Sequence, residues 1–354
     1  MPRETDVPGT MWDTTDPRGT YRPDEPPVST HGTEFDPLNI PKRDPIIRGL
    51  PDTALGIFQR FIPESLVEKW VEYTNEAIVY IRGPVQQQAR SEYWTPTSVS
   101  ELYLFLAIII SIENHPEASI ESYWKRPESD NGAVYLFTRH MPLRRFELLL
   151  RRVKISSRAS GSDSTRASAS RSTKGIPRTY QRLQEWSDLQ QQAIADIYVP
   201  GSHIAVDECV VGFTGRSTLK TTIPNKPTPT GFKVWVVAQD GIFLRWIWHV
   251  PGKGPIGISK KPESAEINLN PTQKVVTYLI GLLPMAPYHA FLDNLFSSPN
   301  LFRVLRAGGI GASGTARVNS GIYKGLVQAK KNPDHSRPWG WIETKPTPDC
   351  QVWS

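Results

Sequence analysis

The chain has 354 residues, enough for two domains with sizeable cores, and carries a formal net charge of +6. Its two cysteines exclude a disulfide framework and a zinc site built on cysteines. The most hydrophobic run, residues 102–112, is too short to span a membrane, and no signal-peptide core follows Met1, so we expect a soluble, intracellular protein.

The first 47 residues predict a disordered arm. Residues 1–45 contain nine prolines, nine acidic residues and five basic residues, and their apolar residues follow no regular period. Such a composition cannot bury enough apolar surface to form a core. We therefore expect folded structure to begin near residue 48.

The next segment, residues 48–199, predicts an all-helical domain. Apolar residues recur at helical spacing between residues 54 and 80, and Pro63 divides that stretch into two helices. A Ser-x-x-Glu capping box opens a third helix over residues 98–111. Two more helices are predicted over residues 143–155 and 180–198.

Positive charge is concentrated between residues 139 and 178, where 11 basic residues accompany two acidic ones. Four of them, Arg144, Arg145, Arg151 and Arg152, lie on one predicted helix, and a Ser/Arg-rich basic loop follows at residues 156–176. A solvated helix face is the ordinary explanation of such a run. The adjoining loop favours the alternative that these arginines bind the DNA backbone, with an affinity that falls as salt rises.

Two short apolar runs in the last part of the chain end in an aspartate, residues 203–207 and 289–293. Apolar runs of this length predict buried strands, so Asp207 and Asp293 are expected at strand ends. Between them, two further strands flank Asp240-Gly241, a dipeptide that favours a tight hairpin turn. The predicted elements are three strands, 232–239, 242–250 and 310–317, and two helices. The first helix covers residues 272–283. The second is capped by Ser297 or Ser298, has Pro299 in its first turn and ends at Ala307.

This order predicts an α/β ribonuclease-H-like mixed sheet over residues 200–354, in which the first and fourth strands are neighbours. Neighbouring strands lie about 4.8 Å apart, so carboxylates at equivalent ends can share a divalent cation. Oxygen ligands favour Mg²⁺ or Mn²⁺, which serve phosphoryl transfer. The simpler alternative is that Asp207 caps a turn and that Asp293 begins the next helix.

Short motifs surround both acids. They are Asp207-Glu208, Val211-Gly212-Phe213, Gly215-Arg216, residues 223–227, Gly231-Phe232-Lys233, residues 293–298 and residues 314–319. In this order and spacing they resemble piggyBac-type transposases, and the resemblance extends from about residue 48 to the end. It implies that Asp207 and Asp293 are the first two acids of the family's catalytic triad of aspartates.

The resemblance also implies partners. It places Lys226 and Lys233 near the active site, where they would bind DNA phosphates, and Arg317 is a further candidate for DNA binding. The simpler alternative is that a surface lysine in a proline-rich loop contributes only solubility. The resemblance further implies insertion at TTAA sites, a nuclear location and a possible homodimer formed through residues 48–199.

The third acid of the family lies beyond a β-rich insertion, whose start we place at residues 318–354. The downstream candidates are Asp334, Glu343 and Asp349, and none has a convincing helical context. We therefore expect the third ligand to be absent and the catalytic site to be incomplete. The family's cysteine-rich zinc domain has no counterpart in this sequence.

The resulting hypothesis is a piggyBac-like, transposable-element-derived protein whose ancestral activity is metal-dependent DNA cleavage and strand transfer. Two alternatives remain open at this point, a non-catalytic protein that binds DNA or another partner, and a decayed fragment without function. A nuclease that uses only two acids is a more remote third.

Overall fold

The computed structural model describes residues 38–81, 94–125, 134–157, 176–224, 226–258, 267–322 and 324–333, together with Ser336, Pro338 and Thr344. Most of the predicted arm and residues 158–175 of the basic loop lie outside the described residues. The chain divides into two compact units, which we call the helical unit and the sheet unit. The helical unit comprises Pro45–Val199 and Trp248–Ile256, and the sheet unit comprises the rest.

The helical unit contains the helices that apolar periodicity predicts. Its elements up to residue 199 are β1 (Ile46–Ile47), α1 (Ala54–Phe61), α2 (Glu64–Ile81), α3 (Val99–Asn114), two 3₁₀ helices (Ile120–Trp124 and Leu136–Arg139), α4 (Leu143–Arg152), α5 (Arg178–Ile197) and β2 (Tyr198–Val199). The break at Pro63 is confirmed, because the proline ring prevents the helical hydrogen bond there. No helix in the described part of the chain is long and apolar enough to cross a membrane.

The core of the helical unit forms where α2, α3 and α4 present their apolar faces. Val67, Ile108 and Leu149, one from each helix, are completely buried. Trp70 packs edge to face against Trp186 of α5, with ring centroids 5.6 Å apart. Burial of these large side chains supplies most of the stability that holds the helices together.

After β2 the chain forms a mixed sheet with helical connections. Its elements are β3 (His203–Gly212), β4 (Thr221–Thr222), β5 (Thr230–Gln239), β6 (Ile242–Val250), β7 (Gly254–Pro255), α6 (Pro271–Gly281), β8 (His289–Leu292), α7 (Pro299–Ala307), β9 (Gly311–Gly314) and α8 (Lys324–Lys331). β3 pairs antiparallel with β5 and parallel with β8, and β8 pairs parallel with β9. The prediction that the first and fourth strands are neighbours is therefore confirmed.

Local chemistry fixes the ends of these elements. Asp240 and Gly241 both have positive φ, 51° and 81°, as a type I′ turn between β5 and β6 requires. Ser298 caps α7 by accepting a hydrogen bond of 3.2 Å from the backbone N–H of Leu301, with Pro299 in the first turn. Both features are confirmed, whereas the predicted strand 310–317 is shorter and ends at Gly314.

One face of the central strands is buried and the other is partly open. Ile204 and Val206 of β3 are 1% exposed and share their face with the buried Ala290 and Leu292 of β8. Asp207 belongs to the opposite face, because side chains alternate along a strand. The apolar face thus orients the acid toward solvent.

Part of the predicted arm is ordered on the sheet unit. The backbone of Arg43 exchanges hydrogen bonds with Ser202, and its guanidinium donates to the carbonyl oxygen of Pro287 at 3.0 Å. The same guanidinium lies 5.3 Å from the centroid of the Tyr288 ring. These polar contacts of Arg43 produce no hydrophobic period in the sequence, so the sequence did not predict them.

Candidate active site

The two predicted acids lie side by side where the parallel pairing of β3 with β8 ends. Asp293 directly follows β8, as predicted, but the prediction that Asp207 lies at a strand end is wrong, because β3 continues to Gly212 and pairs Asp207 with Val236 of β5. Val206 of β3 is opposite Leu292 of β8, and Asp207 and Asp293 are the next residues on the two strands. Both residues are exposed. The structure therefore brings together the two aspartates that the sequence places 86 residues apart.

The environment of Asp207 disfavours its charge. Partial desolvation of the carboxylate is the largest cause that raises its pKa, and the negative charges of Glu208 and Asp293 add to this effect. A hydrogen bond of 2.7 Å from the backbone N–H of Glu208 and the positive charge of Lys226 act in the opposite direction. The site thus contains like charges, and a bound cation would reduce the repulsion between them.

Asp293 is held by the turn that leads into α7. Its Oδ1 accepts a hydrogen bond of 2.8 Å from the backbone N–H of Leu295, and its carbonyl oxygen accepts one of 2.9 Å from the Ser297 hydroxyl. The simpler alternative for Asp293, a turn before the next helix, is therefore also present. This turn fixes the carboxylate at the strand end.

A predicted basic residue contacts the neighbour of the second acid. The Nε of Arg317 donates to the Oδ1 of Asn294 at 3.2 Å, and both residues are exposed. Asn294 directly follows Asp293, so this bond draws the guanidinium toward the acid pair. Arg317 therefore contacts the residue that follows Asp293.

The two predicted lysines meet at the carboxylate of Glu208. The Nζ of Lys226 is 3.3 Å from Oε1, and the Nζ of Lys233 is 3.6 Å from Oε2. Glu208 is on β3 beside Asp207, but it belongs to the other face of the strand. Both lysines are therefore paired with the acid next to Asp207, on the opposite face of β3.

The acid pair fits a hard divalent cation. Mg²⁺ is commonly bound by one or two carboxylates, with water and substrate phosphate as its other ligands. Asp207 and Asp293 provide these two carboxylates. Desolvation is the main cause of the raised pKa of Asp207, and the negative charge of Asp293 adds a smaller repulsion that a bound cation would reduce. No group of three His, Cys, Asp or Glu ligands occurs among the described residues.

On the predicted basic helix, α4, Arg145 has an intramolecular partner. Its Nε and Nη2 donate to the two carboxylate oxygens of Glu101, each at 2.6 Å. The guanidinium also lies 4.6 Å from the centroid of the Trp94 ring, and the side chain is only 13% exposed. Arg145 therefore joins α4 to α3, and little of it is available to DNA.

The other three arginines of α4 differ in exposure. Arg144 and Arg151 are exposed and Arg152 is half-buried. Arg151 lies 3.4 Å from Glu147 one turn earlier, an exposed pair of the kind that contributes little stability. Arg151 is therefore exposed and only weakly paired, which leaves its guanidinium available to contact a phosphate.

Sequence reasoning did not find the roles of Glu208 and Glu101. Glu101 does not complete the predicted capping box, because its carboxylate accepts hydrogen bonds from Arg145 and from the Thr97 hydroxyl instead. The Ser98 half of the box is present, with its hydroxyl accepting from the N–H of Glu101 at 3.3 Å. For Glu208 the signal was its place beside a predicted active-site acid.

The candidates for a third acid, Asp334, Glu343 and Asp349, lie outside the described residues.

Comparison with known proteins gives consistent relatives. A family model described as Transposase IS4 matches residues 53–337. PiggyBac transposable element-derived protein 2 of Homo sapiens is 30% identical over 112 residues, which cover 31% of this chain and 18% of that protein. The cryo-EM structure of a piggyBac transposase synaptic complex with hairpin DNA has a similar fold, with a TM-score of 0.60 at 22% identity. That match covers 79% of this chain and 53% of the other, so the chain spans about half the length of its structural relative.

Proposed function

The chain belongs to the Transposase IS4 family as a piggyBac-type member, and from this premise we propose that it is a transposase-derived protein whose Asp207–Asp293 pair binds a divalent metal ion next to DNA. The observation that carries the proposal is the parallel register of β3 and β8, which ends in an aspartate on each strand. The ancestral reaction of such a site is DNA strand cleavage and transfer.

We propose that the sheet unit is ribonuclease-H-like. Its support is the chain order of three strands, a helix, an acid-bearing strand, a helix and a further strand, together with the neighbouring positions of β3 and β8. The ends of parallel strands are where α/β sheets commonly place their chemistry. The acids therefore lie where this fold class would act on a substrate.

Asp207 and Asp293 would hold Mg²⁺ or Mn²⁺. The ion, when bound, supplies charge stabilisation to the attacking and leaving oxygens of a phosphodiester. The backbone N–H of Glu208 and that of Leu295 orient the two carboxylates by hydrogen bonds of 2.7 and 2.8 Å. These bonds hold the two carboxylates in place before substrate arrives.

DNA is the partner that the positive charge favours. Arg317 would contact DNA beside the acids, and Arg151, with Arg144 and Arg152, would contact the backbone from α4 of the helical unit. Insertion at TTAA sites, a homodimer and a nuclear location belong to the same proposal, by family resemblance.

A supercoiled-plasmid assay tests the proposal. The wild-type chain with Mn²⁺ is expected to bind the plasmid, and any nicking is expected to be lost in Asp207→Asn and Asp293→Asn proteins. Asp240→Asn is the control, since it makes the same change in a hairpin turn that tolerates asparagine. DNA binding without nicking would favour the non-catalytic alternative, and nicking that survives both substitutions would refute the assigned acids.

A further inference from the structure

Glu208 is a largely buried carboxylate that lies between two ammonium groups. Its side chain is 11% exposed, with Lys226 at 3.3 Å from one oxygen and Lys233 at 3.6 Å from the other. Among the described residues, no donor lies within hydrogen-bonding distance of the Oε2 atom. One carboxylate thus pairs with two ammonium groups, and the three side chains together carry a net charge of +1.

The pairing of β3 with β5 places this group on one face of the sheet. Trp235 is opposite Glu208, and Lys233 is opposite Val210, two residues farther along β3. Residues two apart share a face, so Glu208, Lys233 and Trp235 point to the same side. The Nζ of Lys233 lies 3.9 Å from the centroid of the Trp235 ring, which fixes this lysine against an aromatic surface.

The two lysines differ in how far they can move. Lys233 is on a strand and 13% exposed, and desolvation lowers its pKa while the charge of Glu208 raises it. Lys226 is in the loop between β4 and β5 and 38% exposed. Its charge also reaches Asp207, whose pKa it lowers. Lys226 is therefore the lysine that can exchange partners close to the acid pair.

We propose that Glu208 is a positioning residue that gives these lysines different roles: Lys226 transfers from Glu208 to a DNA phosphate, while Lys233 remains as the fixed counter-charge. This inference rests on the proposed function and specifies the phosphate contact of that site. Removal of the only partner of a buried carboxylate strongly destabilises the folded protein. With Lys233 in place, Lys226 can leave without creating an unpaired charge.

The arrangement predicts a specific pattern of DNA affinities. Without Lys233, Lys226 is the only partner that Glu208 has among the described residues, so its transfer to phosphate would leave the carboxylate unpaired. Lys233→Met is therefore expected to weaken DNA binding as Lys226→Met does. The double variant Glu208→Gln/Lys233→Met removes the carboxylate as well, which releases Lys226 and restores binding. The double variant has no unpaired buried charge, so it also serves as the control for folding.

Binding of a random-sequence duplex over a series of salt concentrations tests this pattern. In Lys226→Met protein the slope of log K against log[salt] is expected to fall in magnitude by about 0.9, the change for one lost phosphate contact. The double variant is expected to keep the wild-type slope. A wild-type slope in Lys226→Met protein, or a double variant as weak as Lys226→Met protein, would overturn the assignment.

A DNA-free experiment separates this inference from the proposed function. Amine-reactive labelling followed by mass spectrometry is expected to modify Lys226 faster than Lys233 in the wild type. In Glu208→Gln protein, Lys233 should react faster than in the wild type, because it loses the charge that keeps it protonated. Equal labelling of both lysines would refute the fixed role of Lys233. Absence of DNA binding by the wild type would instead refute the proposed function, and the phosphate contact with it.

Discussion

Val206 on β3 lies opposite Leu292 on β8, and the next residue on each strand is an aspartate. The two apolar residues are buried, at 1% and 6% exposure, and they hold the strands in the parallel register that brings Asp207 and Asp293 together. Packing on one face of the sheet thus determines how close the carboxylates of Asp207 and Asp293 lie to each other.

Asp207→Asn is expected to stabilise the metal-free protein by about 1 kcal/mol or less. Because the pKa of Asp207 is raised on folding, the charged form is disfavoured in the folded state, so stability falls as pH rises through the window between the two pKa values. The asparagine removes this loss and keeps an Oδ1 acceptor for the N–H of Glu208. Chemical denaturation in EDTA at pH 7 measures the change, and a marked destabilisation would contradict it.

Gly314→Ala should damage the acid site from a neighbouring strand. A Cβ at this position would lie 2.4 Å from the carbonyl oxygen of Leu292 and 2.4 Å from the Ser297 hydroxyl. The backbone beside Asp293 must then shift, with an expected loss of about 2–3 kcal/mol in the free energy of unfolding and weaker Mn²⁺ binding. Gly281→Ala is the matched control, since no atom lies within 4 Å of its Cβ position. Equal stability of both variants would show that β8 and β9 are not packed as described.

Arg145→Met should destabilise the helical unit by about 2 kcal/mol, because it removes two charge-assisted hydrogen bonds to Glu101. Urea denaturation measures the loss. Arg144→Met is the comparison on the same helix, at an exposed position, and should change stability far less. A negligible effect of Arg145→Met would refute a structural role for this pair.

The same ion pair predicts a dependence on pH. Burial alone would raise the pKa of Glu101, but hydrogen bonds from Arg145 and Thr97 and the Arg145 charge lower it below its ordinary value of 4.5. A lowered pKa in the folded state gives stability that is present above 4.5 and is lost as pH falls through the lowered pKa. Stability measured between pH 3 and 6 should therefore depend less on pH in Glu101→Gln protein than in the wild type. An unchanged profile would contradict this origin.

Arg151→Gln should have the opposite effects from Arg145→Met. Its only described ion pair, with Glu147, is exposed, so stability should change by less than about 0.5 kcal/mol. DNA affinity should fall, and the salt slope should decrease in magnitude by about one. Filter binding of duplex DNA at several salt concentrations measures both quantities. If Arg145→Met protein lost the phosphate contact and Arg151→Gln protein kept it, the assignment of roles on α4 would be reversed.

The sequence predicted features that depend on neighbouring residues. The Ser298 cap of α7 and the Asp240-Gly241 turn follow from side-chain chemistry within a few positions, and the acid strands follow from short apolar runs. The roles of Glu208 and Arg145 depend instead on distant pairing. Arg145 meets an acid 44 residues away, and the long connection between β3 and β5 leaves their register undetermined by local signals. Only the folded sheet shows that Lys226 and Lys233 share one carboxylate.

The measurement that most directly tests the acid pair is a titration of the full chain with Mn²⁺. Electron paramagnetic resonance of the free ion reports how many ions the protein binds. The wild-type protein and the Asp240→Asn control are expected to bind one more ion than either Asp207→Asn or Asp293→Asn protein. Loss of the same site in both asparagine variants would establish that Asp207 and Asp293 form one metal centre. Unchanged binding in both variants would contradict the account.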